Sequence, residues 1–172
     1  MAELNATEGS LLGFLHEGPK TGWDLLQEVS AGLQRFWNVT SSHVYRELKV
    51  LEDRGLIAAG PQGRRDSRPY AITPAGRKAF AAWIAEEPGH EQIRFPLLVT
   101  LWFGKHLDRR TLRRFLASHR QAHEERLAMY RDTARLLEAD DPHVGAVVQF
   151  GIHYEQAVLS WLDELSRTTS RR

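Results

Sequence analysis

The sequence predicts a mainly α protein: an N-terminal winged helix-turn-helix with a two-stranded wing, followed by an all-helical C-terminal dimerisation domain. Three observations predict it. Signals for helix, helix, helix, hairpin and helix succeed one another between Thr7 and Ile84. Pro88-Gly89 then breaks that pattern. Beyond the break, helical periodicity continues with almost no strand signal.

Thr7 is the expected N-cap of a first helix carrying Leu11, Leu12 and Leu15, stopped by Gly18-Pro19. Thr21, three residues before Asp24, opens a second helix with Trp23, Leu26, Val29 and Leu33 as its apolar set. A third starts at the hydroxyl run Thr40-Ser41-Ser42 and holds Val44, Leu48 and Leu51 on one stripe. It ends before Gly55, a natural left-handed terminator. Leu56-Ile57-Ala58 reads as a short strand and Arg68-Pro69-Tyr70-Ala71-Ile72 as its return, with a glycine-bearing basic tip from Gly60 to Ser67 between them. Pro69 places the returning strand on a sheet edge. Thr73 as N-cap and Pro74 as first helical residue begin a fourth helix through Phe80, Trp83 and Ile84.

The expected domains are residues 1–86, the winged helix-turn-helix, and residues 92–167, the helical dimerisation domain, with 168–172 a frayed tail and a hinge near residues 84–94. A helix bearing Phe95, Leu98, Leu101 and Trp102 comes first; Asp108 then caps a long helix from Arg109 to Leu137. Asp140-Asp141-Pro142 separates it from a last helix over His143 to Leu165. The long helix carries one stripe of Leu116, His123, Leu127, Tyr130, Ala134 and Leu137, and an adjacent one through Leu112, Phe115, His119, Ala122, Met129 and Leu136. The last helix is apolar on two sides, with Val144, Val147, Val148, Val158, Leu162 and Leu165 on one and Phe150, Tyr154, Ala157 and Trp161 on the other. So broad an apolar surface on two long helices points to a homodimer packed across a two-fold axis, the alternative being an intramolecular bundle in a monomer.

Composition bounds the function. The 172 residues are 42% hydrophobic and 26% charged, an ordinary folded composition. Lys plus Arg number 23 and Asp plus Glu 22, so any nucleic-acid contact must come from a local patch rather than bulk charge. The chain has no cysteine, which excludes disulfides, thiolate metal sites and cysteine nucleophiles. Met1 to Ser10 holds two Glu and no apolar run, and the apolar stretch Phe95 to Phe103 is too short to span a bilayer. A cytoplasmic location with no membrane partner is expected. No nucleophile elbow, phosphate-binding glycine loop or strand-mounted carboxylate pair is present, so no catalysis is expected.

With Val44, Leu48 and Leu51 inward, the third helix turns Ser42, His43, Arg46 and Val50 outward, flanked by Tyr45 and Lys49. Such a face suits the major groove. Arg46 can fork onto a guanine edge, and Ser41, Ser42 and His43 are candidates for bases or phosphates. Tyr45 and Lys49 are better placed for phosphates. At the hairpin, Arg64, Arg65 and Arg68 stand against the single acid Asp66, a local net of +2 in a chain whose formal total is +1. In the second domain Trp102, Phe103, Phe150, His153, Tyr154 and Trp161 are candidate aromatic walls of a small-molecule pocket, although an aromatic stripe at helical spacing also describes plain packing. His119 and His123 lie four apart on one helix side, but the ligand set is incomplete, and neither a metal nor a cofactor is expected.

Leu11-Leu12-Gly13-Phe14-Leu15 with Gly18-Pro19-Lys20-Thr21-Gly22-Trp23-Asp24-Leu25 resembles the opening signature of PadR-family transcriptional regulators. The run Val44-Tyr45-Arg46-Glu47-Leu48-Lys49-Val50-Leu51-Glu52-Asp53-Arg54-Gly55-Leu56-Ile57 resembles that family too, as does Arg68 to Arg77. Residues Phe95 to Leu165 resemble, by pattern more than by motif, the larger subfamily with a long helical C-terminal domain. The resemblance implies a homodimeric repressor on a palindromic double-stranded operator, released by a small effector, with Tyr45 and its helix meeting DNA. Trp23 stands where the family often has Tyr, and His43 where a residue such as Gln is common, so sequence preference does not carry over. The alternative is a winged-helix protein-interaction module without specific DNA binding; a stand-alone small-molecule binder is a third reading.

Overall fold

The computed structural model describes residues 3–32, 40–62, 68–90, 93–136 and 141–170. The chain divides into two units, Met1–Glu91 and Gln92–Arg172.

In the first unit, α1 (Ala6–Phe14) is capped by Asn5 and not by Thr7. Asn5 Oδ1 accepts from the Glu8 N–H at 2.9 Å, while the Glu8 carboxylate accepts from the Asn5 N–H at 2.8 Å. This reciprocal box needs an acid or amide three residues after the cap. Asn5 has one in Glu8, whereas Thr7 has only Ser10, and Thr7 is buried inside the helix. Helix α2 (Gly22–Gly32) opens with the expected exchange: the Asp24 N–H donates to Thr21 Oγ1 at 3.2 Å and the Thr21 N–H to Asp24 Oδ2 at 3.0 Å. Its buried face is centred on Leu25 and Val29 with Leu26 at the rim, which leaves Trp23 62% exposed rather than part of the core. On a 100° wheel Trp23 falls well outside that sector. Leu33 lies outside the described residues.

Thr40 caps α3 (Ser41–Asp53), its Oγ1 accepting from the His43 N–H. The helix ends on Gly55 at φ 68°, a left-handed conformation suited to glycine. Leu56 N–H bonds back to the Leu51 carbonyl and Gly55 N–H to that of Glu52, which satisfies the orphan carbonyls of the last turn. The core under these helices comprises Leu11, Leu12, Leu15, Leu25, Val29, Val44, Leu48 and Leu51, with Leu56 and Ile57 from the chain beyond.

Strands β1 (Lys20–Thr21), β2 (Ile57–Ala59) and β3 (Pro69–Ile72) form an antiparallel sheet in the order β1-β3-β2. The expected hairpin therefore gains a third strand, and β3 is central, which corrects the edge placement read from Pro69. Proline is tolerated there because it is the first residue of β3 and faces Thr21, the last of β1. Two residues behind Gly18-Pro19 carry no alternation, so β1 leaves no sequence signal. Thr73 accepts from the Gly76 N–H to start α4 (Pro74–Ile84), and its hydroxyl faces the Gly55 carbonyl at 2.8 Å, tying α4 to the end of α3. Phe80 and Trp83 of α4 pack on the core.

The second unit contains α5 (Pro96–Trp102), α6 (Arg109–Leu136) and α7 (Pro142–Ser170), the last continuing past Leu165. Asp108 Oδ1 accepts from the Thr111 N–H at 2.8 Å as the cap of α6. Leu97, Leu116, Val158 and Leu162 form its core, with Phe95, Leu101, Leu112, Tyr154, Trp161 and Leu165 around them. Farther along the α6–α7 pair lies a polar knot, beyond which Leu127, Tyr130 and Val148 are again buried. The buried His123 Nδ1 contacts Glu155 Oε2, and Arg126 Nε donates to Glu155 Oε1 at 2.9 Å. Among the described residues no helix is long and apolar enough to cross a membrane.

Candidate nucleic-acid interface

Helix α3 separates its side chains by chemistry. Val44, Leu48 and Leu51 are fully buried, while Ser41, Ser42, Tyr45, Arg46, Lys49 and Val50 are exposed and His43 is half-buried. Tyr45 is held from below: a Cβ on Gly22 would collide with its ring, so the ring lies directly on the first turn of α2. Only a residue without a side chain permits so close an approach.

Glu47 breaks the pattern of a polar outer and apolar inner face, since it is an acid at 6% exposure. Its Oε1 accepts from Arg46 through Nε at 3.1 Å and Nη2 at 3.0 Å, and lies 3.0 Å from His43 Nε2. Its Oε2 accepts from Asn5 Nδ2 at 3.2 Å. Burial pushes this carboxyl up, but the Asn5 and Arg46 hydrogen bonds and the charges of Arg46 and His43 prevail and hold it below the usual glutamate value. A second tether runs from Arg54 Nη1 to the buried Glu8 Oε1 at 2.7 Å. Sequence reading missed Glu47, Asn5 and Glu8. Charged residues are presumed solvated, and the partner pairs are far apart in the chain.

At the base of the wing, Arg68 Nε donates to the Gly60 carbonyl at 3.3 Å and its Nη2 lies 3.4 Å from Glu52. The guanidinium is thus already engaged at the foot of the hairpin. Arg64 and Arg65 lie outside the described residues.

The six candidate effector residues do not share one environment. Trp102, Phe103, Phe150 and His153 are exposed, Trp102 at 84%. Tyr154 and Trp161 are half-buried against the core of the second unit, with Phe150 stacked on Tyr154 at 6.4 Å and Phe95 edge-on to Trp161 at 5.9 Å. His119 and His123 stack at 6.5 Å. Nδ1 of His123 is already in contact with Glu155 and sits 2.7 Å from the Arg126 guanidinium, a poor neighbour for a cation. Among the described residues no group of three His, Asp or Glu is disposed to hold a metal.

Residues 11–82 match the Transcriptional regulator PadR-like family, and residues 93–168 match the Virulence activator alpha C-term family. The chain is 26% identical to a probable transcriptional regulator of Mycobacterium tuberculosis, over 95% of this chain and 97% of that protein. It is 25% identical to the negative transcriptional regulator PadR of Bacillus subtilis, over 91% and 93% respectively. A crystal structure of Bacillus subtilis PadR in complex with operator DNA is similar in fold, with a TM-score of 0.79 at 22% identity over 96% of this chain and 99% of that one. Another, in complex with p-coumaric acid, gives 0.75 at 22% identity over the same shares.

Proposed function

The chain belongs to the PadR-like family of transcriptional regulators, and from that premise we propose that it is a cytoplasmic, non-enzymatic repressor that binds an inverted-repeat operator as a homodimer. The observation that carries this reading is the outer face of α3. Ser41, Ser42, His43, Tyr45, Arg46 and Lys49 line one side of a helix whose other side is locked into the core. A recognition helix needs that division, with hydrogen-bonding side chains free to meet base edges and phosphates. Arg64, Arg65 and Arg68 join it as phosphate or minor-groove contacts of the wing. Two copies related by a two-fold axis present their helices to successive major grooves about 34 Å apart.

The dimer reading is supported by the apolar side chains that the second unit leaves exposed: Leu136, Val144, Val147 and Phe150 on α6 and α7, and Leu98, Val99 and Trp102 on α5. The same unit supplies the aromatic residues proposed to receive a small planar effector, with Trp102, Phe103, Phe150, His153, Tyr154 and Trp161 as candidates. Binding there relieves repression by favouring a dimer geometry with the wrong helix spacing, since a ligand shifts an equilibrium only through its differential affinity for the two states. A mobility-shift titration tests the reading, using DNA upstream of the protein's own gene and fragments of the whole genome, with random competitor. Saturable binding that survives competitor is expected. Binding abolished equally by random DNA on every fragment overturns it in favour of a protein-docking module.

A further inference from the structure

The buried acid of α3 does something that neither packing nor phosphate attraction requires. A carboxylate beneath a DNA-binding face repels phosphates and neutralises the cations above it, so its presence costs affinity. Its two oxygens divide their work. Oε2 faces α1 and accepts from Asn5 Nδ2; Oε1 faces outward and engages Arg46 and His43 together.

The consequences for what DNA meets follow from donor inventories. Arg46 spends the Nε–Nη2 edge of its guanidinium on Glu47, which leaves the Nη1–Nη2 end as a two-donor fork, the edge that matches guanine O6 and N7. A carboxylate can only accept, so the His43 Nε2 that faces Glu47 carries a proton. Its Nδ1 is then the ring nitrogen left to meet a base edge.

We propose that Glu47 is a specificity-determining positioning residue, which fixes Arg46 end-on as a guanine reader and holds His43 by Nε2 so that Nδ1 is the nitrogen left for a base edge. The inference rests on the DNA-binding reading of α3. It predicts that the chain trades raw affinity for discrimination at this helix.

The test starts from a duplex enriched by the wild-type protein from a randomised library, compared with a scrambled duplex. Glu47→Leu removes the acceptor with little change of volume. It is expected to tighten binding to the scrambled duplex several-fold and to lower the preference for the enriched one about tenfold. Glu47→Gln keeps an acceptor and is expected to retain most of the preference. In a His43→Ala/Arg46→Ala background, Glu47→Leu is expected to change the preference no further. Wild-type preference in a folded Glu47→Leu protein overturns the inference, as does an equal loss in the double-alanine background. Should Glu47→Leu not fold, the Arg46 Nε–H and His43 Nε2–H resonances of the free wild-type protein decide: protected signals support the clamp and their absence overturns it. If the wild type enriches no sequence, the DNA-binding reading falls together with the inference, whereas equal selectivity of wild type and Glu47→Leu removes the inference alone.

Discussion

Replacing Arg46 with alanine removes the forked cation from the outer face of α3, where its side chain is 67% exposed and tethered to Glu47 through its inner edge. We predict that specific binding weakens by about 1–3 kcal/mol while binding to random DNA changes less. Equal losses on the two duplexes, measured by competition titration, take Arg46 off the list of base readers. Asn5 makes a different residue-scale prediction, because it caps α1 and also donates to Glu47. Asn5→Ala is expected to lower stability by about 1 kcal/mol from the lost cap and to loosen discrimination as well. A urea midpoint that shifts while discrimination holds would confine Asn5 to capping. The outward set on α3 was legible from helical periodicity alone, because Val44, Leu48 and Leu51 fix the wheel. Glu47 was not. Its burial depends on Asn5, which approaches only when α1 packs on α3, and no local pattern encodes that meeting.

Among the elements, α3 is anchored by Leu48, fully buried in the core of the first unit. Leu48→Ala is expected to cost about 2–5 kcal/mol, read as a lower urea midpoint with an unchanged slope. An effect under half a kilocalorie, on the order of a surface substitution, contradicts that anchoring. The wing carries an electrostatic prediction instead. Arg64→Ala is expected to weaken binding on all sequences alike and to reduce the salt slope by about one; an unchanged slope removes the wing tip from the contact list. Element boundaries followed the strength of their punctuation. Thr73-Pro74 and Thr40 with Gly55 marked α4 and α3 where the structure has them, because each combines a cap with a conformational stop. At α1 the expected cap Thr7 was wrong by two residues, because Glu8 completes the box with Asn5 and no acid or amide stands three residues after Thr7. β1 was invisible since its pairing is entirely tertiary.

At the scale of the whole molecule, acid sensitivity follows from His123. Burial lowers its pKa below the ordinary 6.5, with the Arg126 charge acting the same way and the Glu155 contact opposing. The folded state therefore keeps this ring neutral at pH values where the unfolded chain binds a proton, so stability rises with pH in that window. As pH falls below 6.5, thermal stability should decline, levelling off once the folded-state value is passed. His123→Phe is expected to flatten that decline; an identical pH profile in the variant assigns it to other groups. Association state gives the second prediction at this scale. Phe150, 58% exposed beside Tyr154, is expected to be covered in the proposed dimer, and Phe150→Asp should shift sedimentation toward monomer and abolish operator binding. A dimer that survives the change moves the interface elsewhere. Composition and periodicity were enough for the two-part helical plan, but the polar knot of His123, Arg126 and Glu155 had no sequence signature beyond a histidine on an apolar stripe.

The first turn of α1 grips α3 twice, through Asn5 to Glu47 and through Glu8 to Arg54, at points about two helical turns apart. Added to the buried Val44, Leu48 and Leu51, two attachments so spaced set both the roll of a rod and its pitch. A specificity transplant that copies only the outer residues of α3 from a relative therefore brings new letters to an unchanged typesetting frame. A transplant that also takes the relative's inner residues, without its first ten, releases the helix from its frame. Drift in operator preference along this lineage is accordingly expected to appear as paired changes, one in the opening decapeptide and one in α3.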